Sequence, residues 1–167
     1  MILDYVLPKP PSAGGYSLHR IVEGLTGGAR PLYVDMGDRL LVRSAAPIDG
    51  VETLSVRELS AGDIAAFQLR ASVCKKTRGK RSYFPTADWS ARHAWLQQQG
   101  KHHGFDVLTV HCTADFAKIE KTGKKFTVDR TDFTGVLKVT DTEKFSTALR
   151  DGITGCGKAF GFGMLLI

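Results

Sequence analysis

The tightest constraint on this chain is the segment DGITGCGKAFGFGMLLI, residues 151–167, which places five glycines between Gly152 and Gly163 and follows them with an apolar run. Glycine loses more conformational freedom on folding than any other residue. Such a density is kept only where the backbone takes positive φ angles or must approach another group closely. Just upstream, TEKFSTALRDG puts Phe145, Ala148 and Leu149 at helical spacing. The order is therefore helix, glycine loop, final strand. A loop of this kind either aims backbone N–H groups at a phosphate or is a plain tight turn. GITGCGKA matches the phosphate-loop pattern at Gly152, Gly157 and Lys158, but Ala159 stands where magnesium needs a Ser or Thr hydroxyl. An amphipathic helix, not a buried strand, precedes it, so a nucleotide-hydrolysing loop is rejected. KAFGFGML also resembles the aromatic strand on which some RNA-binding domains stack bases, although that strand is normally internal to its domain.

The rest of the chain supplies the architecture. MILDYVL reads as a short first strand. YSLHRIVEGL places Leu18, Ile21, Val22 and Leu25 on one helical stripe, stopped by Gly27-Gly28. PLYVDMGDRLLVRSA reads as two strands around a turn at Gly37-Asp38, and VETLSVREL as one more. No second helix is evident there. Further on, AAFQLRASVCKK alternates as a strand. TADWSARHAWLQQQG reads as a helix capped at Thr86 or Asp88, with an Ala91/Ala94/Trp95 stripe, Trp89 and Trp95 in the core, and Gly100 as its stop. FDVLTVHC and FTGVLKVT read as strands, and DFAKIEKTGKKFTVDR between them as a basic hairpin turning at Thr122-Gly123. This is a β-α-β-β-α-β order with an inserted hairpin, the ferredoxin-like arrangement. The expected fold is α+β, with two ferredoxin-like (RRM-like) halves in tandem. Residues 1–62 form a shortened first half and residues 63–167 a second.

Charge narrows the partner. The 167 residues carry a formal net charge of +6, so an acidic ligand is expected, with nucleic acid ahead of an anionic membrane surface. Cys74, Cys112 and Cys156 form no CxxC pair, which argues against a disulfide framework or zinc site and fits a reducing compartment. The first residues read as a strand rather than a signal peptide, no run approaches a membrane span, and a cytoplasmic protein is expected.

Two groups of residues bear chemistry. Tyr16 and His19, three apart at a helix start, share a face. A histidine moves protons near neutrality without a metal, and a neighbouring tyrosine positions a hydroxyl. A structural histidine is the plainer reading of these two residues alone. The tract RASVCKKTRGKR carries Arg70, Lys75, Lys76, Arg78, Lys80 and Arg81 with no acid among them, and the hairpin adds Lys118, Lys121, Lys124 and Lys125 near Asp115 and Glu120. Cations so close together favour a polyanion through counterion release, or form a solvated surface. His102-His103 and His111-Cys112 lack the partners of a metal site, and no cofactor is expected. The residues leave open an RNA-processing enzyme, a non-catalytic RNA-binding module and a module for small phosphorylated ligands.

YSLHR, FQLRASVCKKTRGKR, HAWLQQQGKHHGFDV and the C-terminal stretch from Phe133 to Ile167 together resemble the CRISPR repeat-processing endoribonucleases of the CasE branch, within the superfamily of repeat-associated mysterious proteins. The resemblance is near full length. It departs in a short first half and at Ile153, where the family's loop usually opens with glycine. It implies a metal-independent endoribonuclease that cuts CRISPR precursor RNA in the repeat stem-loop by attack of a 2′-hydroxyl on the adjacent phosphorus. The products would be a 2′,3′-cyclic phosphate and a 5′-hydroxyl. His19 would be the main proton-transfer residue and Tyr16 would orient the attacking hydroxyl. Arg20, Gly155, Gly157 and Lys158 would hold phosphates, and the tracts at 70–81 and 116–130 would grip the stem-loop. Partners would be the repeat stem-loop RNA and other subunits of a surveillance complex. A non-catalytic RNA-binding subunit of the same fold is the alternative.

Overall fold

The computed structural model describes residues 1–153 and 156–167. Strands β1 (Leu3–Pro8), β2 (Leu32–Asp35), β3 (Arg39–Arg43) and β4 (Glu52–Ser55) form an antiparallel sheet ordered β2-β3-β1-β4. Helix α1 (Tyr16–Leu25) lies on it through Leu18 and Val22, which meet Tyr5, Leu7, Tyr33 and Val42. The expected stripe is narrower than the spacing implies, because Ile21 and Leu25 stay exposed. The link from β3 to β4 contains no helix, and its Ile48 and Val51 join the core that α1 enters.

A second sheet repeats the plan. Its strands β5 (Ile64–Ala71), β8 (Phe105–Lys121), β9 (Lys124–Val139) and β10 (Leu165–Leu166) are ordered β10-β5-β9-β8, again antiparallel. Helices α2 (Trp89–His103) and α3 (Thr142–Asp151) cover one face, with Leu96, Phe145, Ala148 and Leu149 packed on Phe67, Leu69, Phe105 and Leu137. Both sheets have the ferredoxin-like strand order, so two such folds stand in tandem, the first lacking one helix.

Three sequence expectations are corrected. The stretch 105–139 is not strand, hairpin, strand but one ribbon of two long strands, with a single register shift between Val107 and Thr109. Its turn falls at Thr122-Gly123 as read, and a further hairpin that was not expected, β6 (Cys74–Thr77) and β7 (Lys80–Tyr83), pairs between β5 and α2. Both ribbons turn through two residues with positive φ, Arg78-Gly79 at 50° and 79° and Thr122-Gly123 at 50° and 76°, the geometry that matches strand twist. Finally, α2 does not stop at Gly100. It runs on to His103 and ends at left-handed Gly104. Position 100 must lack a side chain because a Cβ there would lie 2.4 Å from the Phe105 carbonyl oxygen.

The α2 face also differs from its apolar stripe. Trp95 is half-buried and stacks on Phe133, ring centroids 5.9 Å apart, while Trp89 is exposed. The residue at the centre of the face is Arg92, fully buried. Its guanidinium donates to Asp129 at 2.5 Å, to Thr131 Oγ1 and to the Pro85 carbonyl, and Asp129 in turn accepts from the Val73 N–H beside β6. A second buried arginine joins the two sheets. Arg43 on β3 pairs with Asp4 at 2.7 and 2.9 Å and donates to the carbonyls of Leu149 and Leu165, each at 2.9 Å. Among the described residues, no helix is long and apolar enough to cross a membrane.

Candidate RNA interface and reaction site

Helix α1 begins at Tyr16, after Gly15 in a positive-φ turn. One helical turn brings His19 alongside, with ring centroids 5.5 Å apart. Glu23, a further turn on, sits 3.6 Å from His19 Nε2. Glu23 was not singled out in the sequence, although its i,i+4 spacing from His19 was the available signal. The ammonium of Lys121, at the end of β8, lies 4.7 Å from the centre of the Tyr16 ring. This distance is within reach of a cation–π contact. The pair is thus a phenol and an imidazole on one helix face, with a cation above.

Tyr33 holds this helix start against the glycine loop. Its hydroxyl donates to the Ala159 carbonyl at 3.0 Å and lies 3.5 Å from that of Gly15. Burial, reinforced by Asp35, pushes the phenol far above the ordinary tyrosine range, so it remains a proton donor. The loop accommodates the ring through Gly161, which has φ 84° and whose Cβ would come within 2.9 Å of Tyr33 Cε2. Gly161→Ala is therefore expected to lower stability by about 1–2 kcal/mol, from left-handed backbone strain alone. Urea denaturation would measure it, and an unchanged midpoint would show that the loop closes without that φ. Ile153, the position at which glycine was expected, is fully buried in the second core and donates its N–H to the Gly163 carbonyl. It serves packing.

The two ribbons sort their cations by strand alternation, since successive side chains point to opposite faces. On β6–β7, Cys74, Lys76, Arg81 and Tyr83 share a face, and Lys76 stands directly opposite Arg81. Lys75 and Lys80 take the other face, Lys75 with its ammonium 5.2 Å from the Phe84 ring centre. Arg78 sits in the turn. On β8–β9, Ile119, Lys121, Lys124 and Phe126 share a face, and Lys121 stands opposite Lys124. Lys118 and Lys125 take the other face, where Glu120 opposes Lys125. Like charges placed directly across a ladder destabilise it until an anion lies between them.

Arg81 and Lys121 meet across a cavity of about 280 Å³ lined also by Tyr83, Phe126, Phe160 and Gly157. Phe126 and Phe160 stand edge to face, centroids 5.8 Å apart. No carboxylate lines the cavity among the described residues. These aromatic residues were not expected, because nothing in the sequence reports that three separate segments converge here. A larger cleft of about 520 Å³ lies between the sheets, but its cations are already neutralised: Lys9 pairs with Asp35 and Arg70 with Asp132. Arg70 was grouped with the acid-free tract, yet the register of β5 on β9 sets Asp132 directly opposite it. Arg130 and Asp115 make a similar pair on the same sheet.

Arg20 is exposed on α1 next to His19. Lys158 begins a single 3-10 turn, Lys158–Phe160, and its ammonium donates to the Asp151 carbonyl at the end of α3. Gly155 lies outside the described residues. The cavity, the Tyr16–His19 pair and the cation faces of the two ribbons therefore form one neighbourhood, connected through Lys121.

Among solved structures, a CRISPR endoribonuclease Cse3 bound to a 19-nucleotide RNA matches with a TM-score of 0.81 and 25% identity, over 99% of this chain and 98% of that one. Cas6e from Escherichia coli K-12 matches with 0.78 and 24%, over 99% and 97%. A chain of a CRISPR RNA-guided surveillance complex matches with 0.74 and 20%, over the full length of both. No curated protein matches in sequence. The model of the CRISPR associated protein family covers residues 13–167, from just before α1 through both sheets and the glycine loop, and the chain belongs to that family.

Proposed function

We infer that the chain is a CRISPR RNA endoribonuclease. It cuts precursor RNA within the repeat stem-loop and keeps the product as a subunit of a surveillance complex in the cytoplasm. The observation that carries this reading is the Tyr16–His19 pair near a cavity with cationic and aromatic walls and, among the described residues, no carboxylate lining it. The likeness to Cse3 bound to RNA and to a chain of a surveillance complex supports it. Residues 1–62 carry the catalytic helix and residues 63–167 the gripping surface.

The chemistry needs few groups. A 2′-hydroxyl attacks the adjacent phosphorus in line with the departing 5′-oxygen. His19 transfers protons at the reacting oxygens, and Tyr16, under the Lys121 ammonium, orients the nucleophile. Positive charge from Lys121 and Arg81 offsets the charge that builds on the phosphoryl oxygens. The cleavage leaves a 2′,3′-cyclic phosphate and a 5′-hydroxyl without a metal. Duplex RNA is gripped mainly by shape and backbone, which suits the opposed cations of the two ribbons.

The test is incubation of end-labelled repeat hairpins from the native locus with the protein in EDTA, with unstructured RNA as control. One cut leaving a cyclic phosphate supports the reading. Tight binding with no cut replaces it with the non-catalytic subunit. Binding should also be strongly salt-dependent. Raising monovalent salt from about 50 to about 200 mM should weaken hairpin affinity about 10²-fold, the loss for about four neutralised phosphates. An affinity independent of salt would remove the ribbons from the interface.

A further inference from the structure

The sulfurs of Cys74 and Cys156 lie 3.4 Å apart. They belong to segments 82 positions apart in sequence: Cys74 opens β6, and Cys156 sits in the glycine loop after α3. Both are half-buried and line the cavity between the basic ribbon and that loop, so small solutes reach them. Among the described residues no group of three His, Cys, Asp or Glu side chains comes together, so the donors of a transition-metal site are lacking. A disulfide needs the sulfurs at about 2.05 Å, so the two must approach by a little over an ångström to bond.

We propose that Cys74 and Cys156 form a reversible dithiol–disulfide site that staples the basic ribbon β6–β7 to the glycine loop. The oxidant is a small-molecule disulfide such as glutathione disulfide. A thiolate of the pair attacks one sulfur of the oxidant and releases a glutathione thiolate. The second protein thiol gives its proton to solvent and displaces the remaining glutathione from the mixed disulfide. One protein dithiol and one glutathione disulfide become one protein disulfide and two glutathione thiols, and dithiothreitol reverses the exchange. Burial, and then the Cys156 thiol, pushes the Cys74 thiol up to about 11 against the pull of Arg81 and Lys76, so Cys74 rests as a thiol.

This inference stands apart from RNA cleavage and is tested without it. The full chain is incubated with glutathione disulfide, alkylated without reduction, digested and mapped by mass spectrometry. The expected result is one cross-linked peptide pair joining Cys74 to Cys156, lost on dithiothreitol treatment, with the buried Cys112 carrying neither partner. In Cys74→Ser the cross-link is absent and Cys156 carries glutathione as a mixed disulfide. The oxidised wild type should also show a higher urea midpoint than the reduced form, a rise that Cys74→Ser does not show. Mixed disulfides on both cysteines without a cross-link, a cross-link involving Cys112, or no oxidation at all would each overturn the proposal.

Discussion

Replacing His19 by alanine should slow cleavage of the repeat hairpin by about 10²- to 10⁴-fold, the usual contribution of a positioned proton-transfer group. Affinity should stay within a few-fold. The separation of the two effects follows from the geometry. His19 projects from α1 beside Tyr16 and Glu23, while the opposed cations proposed to meet phosphate lie on the two ribbons. Losing the imidazole removes no cation of the ribbons and no residue of the first core, which α1 enters through Leu18 and Val22. Single-turnover rates at saturating protein would isolate the chemical step, and a separate filter-binding titration would report affinity. Equal losses of rate and affinity would mean that His19 supports the binding surface. An unchanged rate would remove it from the reaction.

The second large effect concerns the joint between the sheets. Arg43→Leu should destabilise the protein by about 3–5 kcal/mol, because it leaves the Asp4 carboxylate buried without its partner and strips donors from the Leu149 and Leu165 carbonyls. The side chain is 3% exposed, so solvent does not replace the lost contacts. Urea denaturation gives the free energy. The double variant Arg43→Leu/Asp4→Asn should recover part of the loss, since it removes the stranded charge. A loss below about 1 kcal/mol would show that the pair behaves like an exposed one. Leu149 lies on α3 directly before the glycine loop and Leu165 on β10 directly after it, so the single substitution also loosens both ends of that loop.

The sequence shows some of this plainly. YSLHRIVEGL is the observed α1 to the residue, and the helix, loop and strand order at the C-terminal end is as the glycine pattern requires. Local rules fail where a distant partner decides. Gly100 carries the usual signal of a helix end, but the close approach of Phe105 makes it an interior residue of α2. Arg92 reads as a solvent-facing charge until Asp129, 37 positions on, is placed beside it in the core. Residues 65–76 read as one alternating strand, but β5 ends at Ala71 and residues 74–83 form a separate hairpin that only the Arg78-Gly79 turn marks. Tyr16 and His19 were visible as a pair by spacing. Their joining to Lys121, and the aromatic wall of Phe126 and Phe160, depend on β8–β9 bending its far end back to α1, which no local pattern reports.

The opposed cations, Lys76 with Arg81 and Lys121 with Lys124, have a consequence for selectivity. Each pair stores a small repulsion in the empty protein, together on the order of 1 kcal/mol. A neutral molecule recovers none of it. An oligonucleotide laid along both ribbons would offset the repulsion of both pairs, and one isolated phosphate that of one pair. If the ribbons bind phosphates as proposed, discrimination would begin with the spacing of charge along a ligand, before any base is inspected, and would favour a chain of phosphates over a metabolite bearing one.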